Sequence, residues 1–106
     1  MIIVYITCKN KKEAEKMGLA ILKKRLAACV MVSSVQSAYF WPPKSGKIER
    51  TKKALLIAKT QPKLYEKLER EVRSTHLHSI PAILALPVRK ANNEYVRWLN
   101  GELRHV

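Results

Sequence analysis

The residues with the clearest potential for chemistry are a cysteine near the start of the chain, Cys8, and two histidines with a single residue between them, His76 and His78. A thiolate and two imidazoles suit copper or zinc, because soft sulfur and borderline nitrogen ligands favour those ions. The spacing by itself matches no known metal-binding motif. The competing interpretation is that Cys8 is a small buried hydrophobe and that the histidines are loop residues bonded to water or backbone.

These residues can form one site only if the surrounding strands and helices bring them together. β-Branched and aromatic residues over 2–7 predict a short strand buried on both faces. Asn10 followed by Glu13 is typical of a helix N-cap with a reciprocal glutamate. This signal, with apolar residues every three and four positions, predicts a first helix over about 11–25.

A long hairpin is predicted in the middle of the chain. Residues 28–39 return to a strand pattern, and residues 48–59 provide the partner strand. The segment 41–46 contains two prolines and a glycine, which predict the turn between these strands.

A second helix, a fourth strand and a final helix are predicted after the hairpin. Thr60 is the expected cap of the second helix, with Pro62 in its first turn. Residues 83–86 predict the fourth strand, and Asn92 or Asn93 opens the final helix. The side chains of this helix that are expected to point inward are Tyr95, Trp98, Leu99 and Leu103.

The predicted element order is that of an α+β, ferredoxin-like βαββαβ sandwich with an extra C-terminal helix. Right-handed crossovers give the sheet order 4-1-3-2. Cys8, at the end of strand 1, then lies at the same end of the sheet as the connection that carries His76 and His78. Cys29 lies at the opposite end, so an internal disulfide is not expected.

The composition is that of one globular domain with a strong positive charge. The 106 residues, 47% of them hydrophobic, predict a single folded domain over 1–106. No segment has the roughly 20 apolar residues of a membrane span, and no signal peptide is evident, so we expect a cytoplasmic protein. The formal net charge of +13 can attract nucleic acid, acidic membranes or anionic metabolites, but it does not identify one of them, and exposed helix surfaces alone explain the charge.

Several segments, taken in their order and spacing, resemble the CutA family of divalent-cation tolerance proteins. The resemblance extends over nearly the whole chain, and the segments are specific together rather than singly. They are IVYIT at 3–7, RLAACV at 25–30, SAYFW at 37–41, GKIE at 46–49, KT at 59–60, His76, PAI at 81–83 and YVRWL at 95–99.

The resemblance implies a tight homotrimer that binds copper or another divalent metal and serves metal-ion tolerance, with no established catalytic reaction. It also implies clefts between subunits, for which Cys29, Tyr39, Trp41 and Lys59 are the candidate lining residues. Independently, strand 2 is a long sheet edge on which the two aromatic residues invite pairing with another chain. The alternative is that the aromatic side chains pack the hairpin on its own domain and that Cys29 and Lys59 are plain structural residues.

The chain departs from the family pattern at the metal residues. The family's proposed site uses a cysteine in strand 1 and histidines after helix 2. At the cysteine position this chain has Ile6, and of the paired histidines it keeps His76, next to Thr75. Cys8 lies two residues after Ile6 and is expected on the same face of the strand, while His78 lies two residues after His76. We therefore predict a shifted metal site made of Cys8, His76 and His78.

Other classes of function remain as alternatives. An enzyme is not expected, because the chain has no nucleophile elbow, no phosphate-binding glycine loop and no evident pair of carboxylates. RNA-recognition domains share the element order, but they stack bases on aromatic residues of the central strands, and predicted strand 3, 48–59, has none. A PII-like sensor or scaffold trimer, similar to the nitrogen-regulatory signal proteins, would instead bind small molecules between subunits.

Overall fold

The computed structural model describes residues 1–75 and 81–105, which form one four-stranded sheet and three α-helices. The strands are β1 (Ile2–Cys8), β2 (Cys29–Phe40), β3 (Ile48–Thr60) and β4 (Ile83–Pro87). The helices are α1 (Lys11–Lys23), α2 (Tyr65–Thr75) and α3 (Asn93–Glu102), and a short 3₁₀ helix, Pro62–Leu64, precedes α2. None of the helices within these described ranges is long and apolar enough to cross a membrane.

The strands lie in the order β2-β3-β1-β4, which confirms the predicted order 4-1-3-2 and the ferredoxin-like fold. All neighbouring strands are antiparallel. The hairpin of β2 and β3 is paired from Cys29 opposite Lys59 to Phe40 opposite Ile48. β1 lies between β3 and β4, and the short strand β4 forms the edge at which Pro87 ends the pairing.

One face of the sheet packs against the helices and forms the hydrophobic core. β1 places every second side chain from Ile2 to Cys8 on this face, and all four are buried. Gly18 lets α1 lie close to the sheet, since a Cβ there would lie 3.1 Å from Val30 Cγ2 and 3.2 Å from Leu56 Cδ1. The side chains that α1 and α2 contribute to this core include Ala14, Met17 and Ile21 of α1 and Leu68 and Val72 of α2.

The other face of the sheet, called the open face below, carries apolar side chains that are half-buried or exposed. Its apolar side chains include Ile3 and Tyr5 of β1, Leu55 and Ile57 of β3, Met31 of β2, and Leu84 and Leu86 of β4. The prediction that β1 is buried on both faces is therefore wrong for the single chain. The helices that pack on the core face leave the opposite side of β1 only partly covered.

α1 begins at the predicted N-cap. The backbone N–H of Glu13 donates to Asn10 Oδ1 at 2.8 Å, and the Glu13 carboxylate accepts from the backbone N–H of Lys9 at 2.9 Å. The glutamate thus reaches one residue beyond the cap, and both bonds satisfy amide groups that have no partner within the helix.

The start of the second helical segment differs from the prediction. Thr60 does not cap it, because Thr60 is the last residue of β3 and its side chain is buried. The N-cap is Gln61, which is extended, with φ −110° and ψ 152°, and makes no side-chain cap bond. The reason is Pro62, since a proline disfavours the helical conformation of the residue before it.

Leu99 of α3 and Leu103, the residue just after this helix, are buried as predicted, but Trp98 is 47% exposed and Tyr95 is half-buried. Leu99 meets the core from the helix, and Leu103 meets it from the extended segment that follows. The Trp98 ring instead lies 5.5 Å from the Tyr95 ring at the side of the helix. The prediction that Trp98 points inward is wrong for the single chain.

Candidate metal and subunit-contact residues

Cys8 is the last residue of β1 and lies on the core face, with no exposed surface. It shares that face with Ile6, as the sequence predicts, and it pairs with Ala54 of β3. Burial raises the pKa of the Cys8 thiol to about 11, and the nearby Glu13 carboxylate acts in the same direction. The thiol is therefore protonated at neutral pH, and a metal ion that binds it must displace that proton.

The other two predicted metal ligands, His76 and His78, lie outside the described residues. The described chain stops at Thr75, at the end of α2, and resumes at Pro81. The carbonyl oxygen of Ala82 accepts a hydrogen bond from the backbone N–H of Thr7 at 3.2 Å. The chain that follows the histidines therefore returns beside the residue that precedes Cys8, as the sheet order predicts. Within the described residues, no three His, Cys, Asp or Glu side chains are grouped so that they could hold a metal ion.

Cys29 and Lys59 are directly opposite each other in β2 and β3 and are half-buried on the open face. Both cysteines are free thiols, on opposite faces of the sheet. The Lys59 ammonium lies 5.1 Å from the centroid of the Tyr95 ring, which in turn contacts Trp98. Lys59 therefore binds an aromatic face by a cation–π interaction. Sequence reasoning missed this cluster: the spacing of Tyr95 and Trp98 by three residues on α3 could have indicated that the two rings are neighbours, but not that Lys59 meets them.

The other two predicted cleft residues lie at the far end of the β2–β3 hairpin. Tyr39 is opposite Glu49, and the Lys53 ammonium lies 4.5 Å from the centroid of the Tyr39 ring. Trp41 is 55% exposed just beyond β2, where its backbone N–H donates to the Lys47 carbonyl oxygen at 2.9 Å. Both rings offer contact area on the surface of the single chain.

The four predicted cleft residues do not form one site within a single chain. Tyr39 lies ten residues beyond Cys29 in β2, which corresponds to roughly 33 Å at about 3.3 Å per residue. The structure brings Cys29 to Lys59 and separates this pair from Tyr39 and Trp41. A cleft that contains all four residues requires a second copy of the chain.

The open face has a continuous apolar row across all four strands. Met31 of β2 lies opposite Ile57 of β3, Ile57 lies opposite Tyr5 of β1, and Tyr5 lies opposite Leu84 of β4. The outer members of this row are the more exposed, with Met31 at 45% and Leu84 at 59%. An apolar surface that is continuous across a whole sheet is typical of a protein–protein contact.

Comparison with known proteins shows which family shares these features. A family model described as CutA1 divalent ion tolerance protein matches residues 2–102. The divalent-cation tolerance protein CutA of Pyrococcus horikoshii is 36% identical over 104 residues, which cover 98% of this chain and 99% of that protein. The chloroplastic protein CutA 1 of rice, Oryza sativa subsp. japonica, is 35% identical, but this chain covers only 57% of it.

Solved structures of the same family have the same fold. The crystal structure of CutA1 from Pyrococcus horikoshii superimposes with a TM-score of 0.91 at 35% identity, covering 99% of this chain and 100% of the other. The structure of the periplasmic divalent cation tolerance protein CutA from Archaeoglobus fulgidus superimposes with a TM-score of 0.90 at 30% identity, covering 98% and 100%. The chain thus covers 99% and 92% of the two archaeal relatives but only 57% and 56% of the two plant relatives.

Proposed function

The chain belongs to the CutA1 family of divalent ion tolerance proteins, and on that premise we propose that it is a homotrimer that binds copper or another divalent metal and serves metal-ion tolerance without catalysing a reaction. The observation that carries this proposal is the family match over residues 2–102, which includes every strand and helix of the fold. The names of the relatives describe tolerance of divalent cations.

The open face supports assembly through the sheet. A row from Met31 to Leu84 leaves apolar side chains in water in the single chain, and burying them against other copies would contribute about 25 cal/mol for each Å² of apolar surface. Three copies that meet through this face would also cover the partly exposed side of β1. They could bring the Cys29–Lys59 pair of one subunit near Tyr39 and Trp41 of another.

The proposed metal ligands are Cys8, His76 and His78. Cys8 supplies a sulfur ligand beside Thr7, whose backbone contacts Ala82 shortly after the two histidines in the sequence. Burial of the thiol favours a metal that binds sulfur strongly enough to displace its proton, which is a property of copper and zinc rather than of magnesium or calcium.

The test is a titration of metal-free protein with copper and zinc under anaerobic conditions. We expect a Cys8→Ala, His78→Ala double variant to bind more than about tenfold more weakly than the wild type, because it keeps one of three ligands. Cys29→Ala is the matched control, since it also removes a thiol but leaves the proposed ligands intact. Thermal melting of each variant separates loss of metal from loss of fold. Unchanged stoichiometry and affinity of metal binding in the double variant would contradict the proposed site.

The net charge favours one second candidate, nonspecific binding of nucleic acid. A salt titration with DNA or RNA tests it, since affinity that is indifferent to sequence and collapses with salt would indicate the charge alone.

A PII-like sensor trimer would bind small molecules in the same intersubunit clefts. We retain the cytoplasm as the proposed location, while the names of the rice and Archaeoglobus relatives state chloroplast and periplasm.

A further inference from the structure

A shallow depression of about 430 Å³ lies between the end of α1, one face of α2 and the segment after α3. It is called the basic depression below and is lined by Lys24, Leu26, Lys67, Arg70, Glu71, Ser74 and Arg104. None of the proposed metal or cleft residues lines it. Its volume is in the range of about 300–1,000 Å³ that small-molecule sites occupy.

The basic depression has four cationic side chains and one carboxylate. The carboxylate, Glu71, is already bound, since Lys24 Nζ lies 2.6 Å from Glu71 Oε1 and the Glu71 side chain is 14% exposed. Lys67, Arg70 and Arg104 make no ion pair with any of the described residues. Three positive charges at the depression are therefore unbalanced.

Local structure explains Lys24 but not the other three cations. Lys24 lies at the C-terminal end of α1, where the helix dipole stabilises a positive charge. Lys67 and Arg70 lie three residues apart on α2, where like charges repel, and Lys67 is near the helix N-terminus, where the dipole disfavours a cation. Neither the helix dipole nor an ion pair among the described residues therefore accounts for Lys67 and Arg70.

Arg104 is held at the depression by contacts that do not use its own side chain. Its backbone N–H donates to the Arg25 carbonyl oxygen at 3.0 Å. The Arg25 guanidinium in turn donates to the Glu102 carboxylate at 3.1 Å and to the Glu102 carbonyl oxygen at 2.9 Å. The Arg104 guanidinium thus remains free to bind an anion.

We propose that the basic depression binds a free phosphorylated compound that carries two or more phosphate groups. Two arginine guanidiniums offer forked donors that match phosphate oxygens, and Lys67 adds a point charge. Three unbalanced cations match about two phosphate groups, each of which carries about −1.5 to −2 charges at pH 7. α1 and α2 lie on the face of the sheet opposite the open face, so the depression also stays accessible in the proposed trimer.

The test is calorimetric titration of metal-free protein with inorganic pyrophosphate at about 50 mM salt, where screening is moderate. EDTA treatment comes first, because pyrophosphate chelates divalent ions and the metal proposal is tested separately. We expect Lys67→Gln, Arg70→Gln to weaken pyrophosphate binding by more than about tenfold. The matched control is Lys12→Gln, Lys16→Gln, which removes the same charge from exposed positions of α1 and should change affinity by less than about twofold.

Three results would overturn the inference. The first is no pyrophosphate binding by the wild type, and the second is an equal loss in both double variants, which would assign binding to the overall charge. The third concerns the source of the phosphate. If a (dT)15 oligonucleotide binds the wild type and loses affinity in K67Q/R70Q as strongly as pyrophosphate does, the depression serves a nucleic-acid backbone instead. Circular dichroism melting of both variants establishes that they remain folded.

Discussion

At the scale of single residues, the environment of Cys8 decides what its thiol can do. The sequence correctly predicts that Cys8 shares a face of β1 with Ile6, because side chains alternate along a strand. It does not predict that this face is the fully buried one, since the sequence of β1 is apolar on both sides. In the single chain Cys8 behaves as a small core residue whose chemistry depends on displacing its proton.

The thiol of Cys8 should therefore resist alkylation in the metal-free folded protein. With a pKa of about 11, roughly one thiol in a thousand is ionised at pH 8. We expect iodoacetamide to modify Cys8 much faster in protein unfolded by guanidinium than in folded protein, as followed by peptide mass spectrometry. Equal rates in the two states at pH 8 would contradict the burial of Cys8.

The contacts of Lys59 are an example of what the sequence around a residue cannot predict. The sequence indicates a long side chain with its charged end in solvent or in a cleft, and the structure places the ammonium against Tyr95. The two residues belong to β3 and α3, which are far apart in the sequence. The packing of α3 against the end of the sheet brings them together, and no local spacing contains that information.

At the scale of elements, order and sheet topology could be predicted because periodicity, turn residues and the handedness of crossovers constrain them. The start of the 3₁₀ helix that precedes α2 could also have been predicted. A proline at the first helical position indicates that the preceding residue, Gln61, is the cap. The choice of Thr60 rested on side-chain type, whereas the conformational restriction imposed by Pro62 decides the boundary.

The two asparagine caps provide a matched pair for a stability test. Asn10→Ala should lower the free energy of unfolding by about 1 kcal/mol, because it removes the hydrogen bond to the Glu13 amide. Asn92→Ala at the start of α3 should cost less, since the Asn92 side chain makes no cap bond and its amide donates to Glu94 Oε2 instead. Urea unfolding at one fixed protein concentration measures both. Equal losses would contradict the assigned role of Asn10.

At the scale of the whole molecule, the differences between prediction and structure concern exposure. The open-face side chains of β1 are only half-buried, and Trp98 is partly exposed, in the single chain. Apolar patterns indicate that a side chain avoids water, but they do not say whether its own chain or another copy covers it. Both differences are expected if the protein is a trimer.

Two leucines with similar exposure test this interpretation. Leu84 is 59% exposed on the open face and Leu19 is 55% exposed on α1. Leu84→Glu should break the trimer, because it places a charge in the proposed contact, while its cost to the single chain is small. Leu19→Glu introduces the same charge on the helical side and should leave the assembly intact. If only Leu84→Glu loses the trimer, the loss is due to the position of the charge and not to a change in solubility.

Native mass spectrometry with one Cu²⁺ per chain tests the central claim most directly, because one spectrum reports both assembly and metal. For the wild type and Leu19→Glu we predict a mass of three times 12.2 kDa with bound copper, and for Leu84→Glu a shift toward the single chain. A wild-type spectrum that shows single chains would contradict the trimer, and three chains without copper would contradict copper as the bound metal.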